Sequence, residues 1–374
     1  MPELSQSSAP GSEAASIPMV SIVIPVRNEA SNLGALFADL LKQDYPPGRF
    51  EILVADGEST DWTREVVEDF ARTSPVRTLC LPNPRRLSSA GRNVGIIASR
   101  GEFIIFIDGH CRLPDPAYLR HTVRLFQDTG ADCLCRPAKL ETHGNTWFQN
   151  VVAHARSTFL GHGPDSTIYV NNFEGFVNPT SAGAFYRRSV FDKVGLHDEG
   201  FDACEDVEIN HRVHAAGLRS YLSSSLAVTY RPRKTPFGVF SQLFRYGRGR
   251  FRFVRKHYDA MGLGQLIPAA FVAWLLLGAI GSFFSTPAAM LYLASLAAYG
   301  LVVLWYSIGL GFRYGLREVV CAPLVYFLMH LGLGAGFWLE AARSLWAKPA
   351  ASPTPHPMQS TIEGTVRRST GGEE

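Results

Sequence analysis

The sequence predicts an α/β fold, a mostly parallel sheet with helices on both faces, followed by C-terminal transmembrane helices. Three observations carry this. Short β-branched runs alternate with helix-like stretches at a spacing that implies βαβ units. Three of the four runs end at polar residues. Beyond Asp259 the charge disappears, with no Asp, Glu, Lys or Arg from Ala260 to Phe312.

The predicted strands are VSIVIPV (20–26), FEILVADG (50–57), VRTLCL (76–81) and EFIIFIDG (102–109), and the predicted helices between them cover 30–43, 61–73 and 87–99. Runs this uniformly apolar suit a sheet buried on both faces, and such sheets bind ligands beyond the carboxyl ends of their strands. Arg27, Asn28 and Glu29 follow the first strand, Asp56 and Gly57 end the second, and Asp108, Gly109 and His110 end the fourth. No GxGxxG turn follows the first strand, which argues against a dinucleotide fold. Acidic strand ends suit a metal, or ribose and base hydroxyls. Asp61, in STDWTRE, reads as a start signal for the following helix.

Residues 1–18 are small and polar, without a basic start or an apolar run, and read as a flexible tail. Residues 346–374 read as a second. The six cysteines are scattered with no CxxC pair, which points to reduced thiols in a cytosolic compartment and away from zinc or disulfides. The charge-free stretch after Asp259 is long enough for two spans of a bilayer of roughly 30 Å, broken at Ser285–Pro287, and Val319 to Leu339 is about one span more. Arg245, Arg248, Arg250, Arg252, Arg255 and Lys256 precede the first span, and Arg313 and Arg317 precede the third. Both segments are therefore expected in the cytoplasm. Three crossings would put Arg343, Lys348, Arg367 and Arg368 outside, against the same rule, so three spans and two spans with a re-entrant segment both stay open.

Four motifs in order, VSIVIPVRNEASNL, ILVADGESTDWT, AGRNVGIIASRGEFIIFIDGH and CEDVEINHRVHAAG, resemble glycosyltransferase family 2, the inverting nucleotide-sugar transferases of GT-A fold. The resemblance runs from about Val20 to about Lys256. IDGHC and the apolar C-terminal part resemble its succinoglycan-biosynthesis glucosyltransferase subgroup, which extends sugar chains on a lipid carrier. It implies a GT-A unit at 19–235, a basic amphipathic interfacial segment at 236–258 and a membrane region at 259–345. The expected location is the inner (plasma) membrane, multi-pass, with the catalytic unit cytoplasmic.

By the same resemblance Asp108 is the first acid of a metal motif, usually Asp-x-Asp, holding a divalent cation, Mn²⁺ or Mg²⁺, against the donor diphosphate. Here the third position is His110: as a direct ligand imidazole suits Mn²⁺ better than Mg²⁺, and a hydrogen bond to phosphate, action through a metal-bound water and a plain surface turn stay open. Asp56 falls where the family contacts the base, and Asn28 and Glu29 fall beside the ribose. Pro25 and Arg27 belong to the same donor-side edge. Arg92 is placed to neutralise phosphate, and Asn93 to hold the strand-end loop. Asp206, preceded by Glu205, matches the second acid of the Glu-Asp motif, the general base toward the acceptor hydroxyl. Acids at a helix start are also ordinary dipole partners.

The acceptor side is expected from NPTSAGAFYRRSVFDKVG (178–195), where Gly183 leaves room for a sugar or serves a tightly packed strand. It is also expected from QLFRY, where Gln242, Arg245 and Tyr246 resemble the QxxRW signature with Tyr in place of Trp. From Ile209 to Tyr258 there are eleven Lys and Arg and no Asp or Glu. Next to an apolar span, such a stretch favours membrane lipids or a polyprenyl-diphosphate-linked saccharide over nucleic acid. The implied function is hexose transfer from a UDP-sugar, such as UDP-glucose, to a lipid-linked saccharide in exopolysaccharide or cell-surface glycan synthesis. A processive polysaccharide synthase and a non-catalytic binder of nucleotide sugar or lipid carrier stay open.

Overall fold

The computed structural model describes residues 17–140, 144–163, 173–180, 183–260 and 262–346. Apart from Ile17, Pro18 and Trp346, the two expected tails lie outside them.

The strands are β1 (Val20–Val26), β2 (Phe50–Asp56), β3 (Arg77–Pro82), β4 (Phe103–Phe106), β5 (Cys133–Cys135), β6 (Ala138–Leu140), β7 (Glu174–Phe176), β8 (Gly183–Arg187), β9 (Ser220–Ser223) and β10 (Val228–Tyr230). The main sheet runs β3-β2-β1-β4-β8-β5-β9-β7, and β6 pairs with β10 in a second, two-stranded sheet. The first four strands are parallel, with Val20 opposite Phe50 and Val26 opposite Asp56. β8 lies antiparallel between β4 and β5.

Helices α1 (Ala30–Leu41), α2 (Thr63–Thr73) and α4 (Tyr118–Thr129) cover one face of the sheet, and α3 (Ser88–Ala98), α7 (Arg188–Val194) and α8 (Glu205–Ala215) cover the other. The two-residue period of a strand divides its side chains between them. Ile22, Ile24, Ile52 and Val54 join Leu33, Leu36 and Phe126, whereas Val23, Leu53 and Ile104 join Val94, Ile209 and Val213. Glycine sets how closely α3 can approach. A Cβ on Gly95 would collide with the side chain of Val23.

The predicted strand at 102–109 is shorter than expected. β4 ends at Phe106, and Asp108 begins a turn closed by the Cys111 amide donating to the Asp108 carbonyl (2.9 Å). A Cβ on Gly109 would press on Val26 and Glu29, so glycine there lets this turn lie against the exit of β1.

Helices α5 (Trp147–Arg156), α6 (Phe159–His162), α9 (Pro236–Lys256), α10 (Leu263–Ser282), α11 (Thr286–Tyr314) and α12 (Leu316–Trp346) complete the chain. Residues of α5, α9, α11 and α12 form a third core around Tyr326, Val325, Met329 and Leu243. Helices α10, α11 and α12 are each long and apolar enough to cross a membrane.

Candidate active site

The carboxyl edge of the parallel strands is held by side-chain bonds between neighbouring loops. Asn28 adopts a left-handed backbone (φ 57°) at the exit of β1, and its side-chain Oδ1 accepts from the Thr60 amide (2.8 Å). Its own amide donates to Ser59 Oγ (2.9 Å). Asp56 is buried and accepts from the Ser59 amide and hydroxyl (3.2 and 2.6 Å). Asp61 accepts from the amides of Thr63 (3.0 Å) and Ala30 (3.3 Å), joining the starts of α2 and α1. Pro25 is half-buried, and Arg27 is exposed at the rim.

His110 Nδ1 donates to Glu29 Oε1 (3.1 Å), and Asn32 donates to the other oxygen (2.6 Å). Burial pushes the Glu29 carboxyl up, but these hydrogen bonds outweigh it and hold it below its ordinary range. The bond to Glu29 lifts the His110 ring above its ordinary value against the effect of burial. With Nδ1 engaged, Nε2 is the nitrogen left for a cation or phosphate. Among the described residues, the one group of three metal-capable side chains with mutually close donor atoms is His211, His257 and Asp259, which does not include Asp108. The strand-end site therefore offers Asp108 and one imidazole nitrogen. That set fits a cation whose other ligands are water and diphosphate oxygens.

Arg92 joins the two halves of the site. Its guanidinium is 3.5 Å from Glu205 Oε1 and stacks over Phe106, 5.4 Å from the ring centre. Burial alone would lower its pKa, but Glu205, Asp108 and Asp206 together raise it. One arginine on α3 thus feels the strand-end acid and both acids at the start of α8.

Asp206 stands in the first turn of α8, where Oδ1 accepts from the Val207 amide (2.8 Å). Burial, then the neighbouring Glu205, raises its pKa, while Arg92 lowers it. The outcome is a carboxylate more basic than a surface aspartate, with Oδ2 left for an incoming proton. Cys204, at φ 62°, turns the chain into the helix, and burial pushes its thiol up to about 12, so it packs as a neutral group.

Asn93 bonds away from the strand-end loop. It donates to the His197 carbonyl (2.9 Å) and Glu199 (2.8 Å) and accepts from the His197 amide (2.8 Å), fixing the loop that leads to α8. His197 packs edge-on against Phe106, and burial, with Arg92 and Arg212 nearby, holds it well below its ordinary pKa and neutral. The Gly183 expectation needs correction. Gly183 is buried, and a Cβ there would collide with Asn210 of α8, which donates to the Gly183 carbonyl (3.2 Å). Its small size serves helix packing, since the space a side chain would need is taken by Asn210.

QLFRY lies on α9. Gln242 Nε2 donates to Tyr246 Oη (3.2 Å), Arg245 is exposed, and the Tyr246 carbonyl accepts from Cys204 Sγ (3.7 Å), one residue before Glu205. A motif far away in sequence therefore backs the start of α8. Sequence reasoning missed Arg136, just past β5, which lies in the field of Asp108 and stacks over Phe185 (5.6 Å). A lone arginine in RPAK carries no signal.

The edge, with its acids gathered around one arginine, is that of a GT-A transferase. In overall structure the chain is similar to a mannosyltransferase from Pyrobaculum calidifontis solved with GDP-mannose and Mn²⁺, with a TM-score of 0.56 at 18% identity over 88% of this chain and 87% of that one. The pattern of Glycosyl transferase family 2 matches residues 21–195. A succinoglycan biosynthesis protein, ExoA of Rhizobium meliloti, is 34% identical over 85% of this chain and 94% of its own length. A Methanococcus voltae dolichyl N-acetyl-α-D-glucosaminyl phosphate 3-β-D-2,3-diacetamido-2,3-dideoxy-β-D-glucuronosyltransferase is 25% identical over 69% of this chain and 80% of its own. The chain belongs to glycosyltransferase family 2, and is a glycosyltransferase of polysaccharide or glycan biosynthesis.

Proposed function

We propose that this chain is a membrane-anchored inverting hexosyltransferase. It takes its sugar from a UDP-hexose and adds it to a saccharide on a polyprenyl-diphosphate carrier, at the cytosolic face. The observation that carries the reading is Arg92, whose charge is balanced jointly by Asp108, Glu205 and Asp206. The donor diphosphate and the acceptor hydroxyl would meet across this residue.

Asp108 and His110 Nε2 would hold a divalent cation, which when bound offsets charge on the departing nucleoside diphosphate. Asp206 Oδ2 takes the acceptor hydroxyl proton as that oxygen bonds to the anomeric carbon and the bond to phosphate breaks on the opposite side. Attack opposite the leaving group inverts the centre. Glu205 holds Arg92 in place, Arg92 supplies fixed positive charge at the edge, and Asp56 and the loop clamped by Asn28 form the nucleoside side. Gln242, Arg245 and Tyr246 form the acceptor side. The name of the dolichyl-phosphate relative supports a lipid-linked acceptor, and that of the succinoglycan relative supports polysaccharide synthesis.

Purified protein assayed with a panel of UDP-hexoses, a lipid-linked saccharide and Mn²⁺, Mg²⁺ or chelator tests the reading. One UDP-hexose should be consumed in the presence of acceptor, and chelator should stop it. Absence of transfer with every donor and metal overturns the reading. His110→Asp should keep activity and move the preference from Mn²⁺ toward Mg²⁺, whereas an unchanged metal profile removes His110 from the ligand set.

A further inference from the structure

The loop that delivers Asp206 is held from two sides. Toward α3, Ser89 donates to the Phe201 carbonyl (3.0 Å), and Asn93 donates to the His197 carbonyl and to Glu199. Toward α9, Lys256 donates to Asp198, Arg252 donates to the Gly200 carbonyl (3.3 Å), and Phe253 packs with Phe201, Cys204 and Val207. The loop ends at Cys204, whose φ of 62° is a left-handed conformation that a non-glycine residue keeps only where its surroundings enforce it. Asp206 follows two residues later, so its place depends on that turn.

Four charged side chains close a ring between this loop and α12. Arg248 and Arg252 lie one turn apart on one face of α9. Glu340 of α12 accepts from Arg248 Nε at one oxygen (2.8 Å) and from Arg252 Nε at the other (2.7 Å). Asp202, two residues ahead of Cys204, divides its oxygens in the same way, one paired with Arg252 and the other 3.6 Å from Arg248 Nη1. The four side chains are 15–28% exposed, so water screens them less than it does a surface pair. Backbone contacts remove slack on both sides of α9. A Cβ on Gly247 would strike the Leu333 carbonyl and one on Gly336 the Phe244 carbonyl, both between α9 and α12, whereas one on Gly249 would strike the Ala203 carbonyl in the loop. The end of α12 therefore cannot shift without moving α9 or breaking the ring.

We propose that Glu340 is a positioning residue for Asp206. Through Arg248 and Arg252 it fixes Asp202, and Asp202 holds the left-handed turn that aims Asp206 at the acceptor hydroxyl. The C-terminal helix then takes part in setting the base, besides packing against α9. Removing the Glu340 charge leaves two arginines to share one carboxylate, which draws both onto Asp202 and pulls the loop off its place. Glu318, near the other end of α12, is tied to His154 of α5 instead (3.2 Å). The proposal rests on Asp206 acting as the base, and it holds whichever sugar is transferred.

Full-length protein in detergent tests it, with Glu318→Gln as the control. In Glu340→Gln, amide hydrogen exchange at residues 201–208, read by mass spectrometry, should quicken while exchange in β1 to β4 keeps its parent rate. With the UDP-hexose turned over in the donor panel, kcat should fall by about 10- to 10²-fold at unchanged KM for donor, the scale of a small misplacement of a reacting group. The acidic limb of the kcat/KM profile should move to lower pH, because a loosened loop relieves the burial that raises Asp206. Asp202→Asn should act in the same direction, and the two effects on kcat should be less than additive, as for members of one network. Glu318→Gln should lower the unfolding temperature and leave exchange at 201–208, kcat and the limb unchanged. Where Glu340→Gln is not monodisperse, Asp202→Asn carries the test. Parent-like exchange and kcat in Glu340→Gln, or an equal loss in Glu318→Gln, overturns the proposal. Near-parent transfer by Asp206→Asn removes the base itself and this proposal with it, whereas an inactive Asp206→Asn beside a parent-like Glu340→Gln removes only the link to α12.

Discussion

The carboxyl edge of the sheet and the C-terminal helices are organised by opposite means. At the edge a few charged side chains converge from distant elements on Arg92, and burial raises the pKa of one of them, Asp206. In the helices small residues bring backbones together, and two charged groups, Glu318 and Glu340, fasten α12 to α5 and α9. Charge is gathered in the first region, and close packing dominates the second. Substitutions at the edge should therefore reduce turnover at little cost in stability, and substitutions in the packing should do the reverse.

The largest effect is expected from Asp206→Asn. Initial rates of transfer should fall by about 10³-fold with the KM for donor little changed, since a general base typically contributes on the order of 10²–10⁴. Arg92→Met should lower transfer by about 10²-fold. It should also move the acidic limb of the kcat/KM profile to higher pH, because Arg92 lowers the pKa of Asp206 and the base acts deprotonated. A limb that stays in place would separate Arg92 from Asp206 and weaken the contrast between the two regions.

Glu208→Gln addresses the junction between them. Glu208 is fully buried and accepts from Arg212, Lys256 and His257, and although burial alone would raise it, these bonds hold its carboxyl at about 2. A depressed carboxylate pKa contributes stability that is fully present above the ordinary value of 4.5 and is lost as pH falls through about 2. The variant should lose about 3 kcal/mol near neutral pH, measured by unfolding in detergent, with the difference from the parent shrinking as the pH drops below 4.5. The smallest effect is expected from Gly183→Ala. Crowding against Asn210 should cost about 1–3 kcal/mol, with an unchanged KM for acceptor. A raised KM would return Gly183 to the acceptor site.

The strands and their polar ends were legible because a strand buried on both faces has to read as an uninterrupted apolar run, and a carboxylate at its end stands out. Asp108 stands out this way, whereas Asp206, at a helix start, stands out only through the family motif. Gly183 was ambiguous, since a glycine that admits a ligand and one that admits a neighbouring helix look alike until Asn210 is in place. Asn93 and Arg136 depend on partners 40 or more positions away or on the tertiary field of Asp108, which no local pattern encodes.

The central claim is a single displacement, with Asp206 on the acceptor side and the diphosphate leaving opposite. The anomeric configuration of the first product formed, read by NMR of the purified glycoside, tests it most directly. An α-linked UDP-hexose should yield a β-glycoside, and a product that keeps the α configuration would contradict the account.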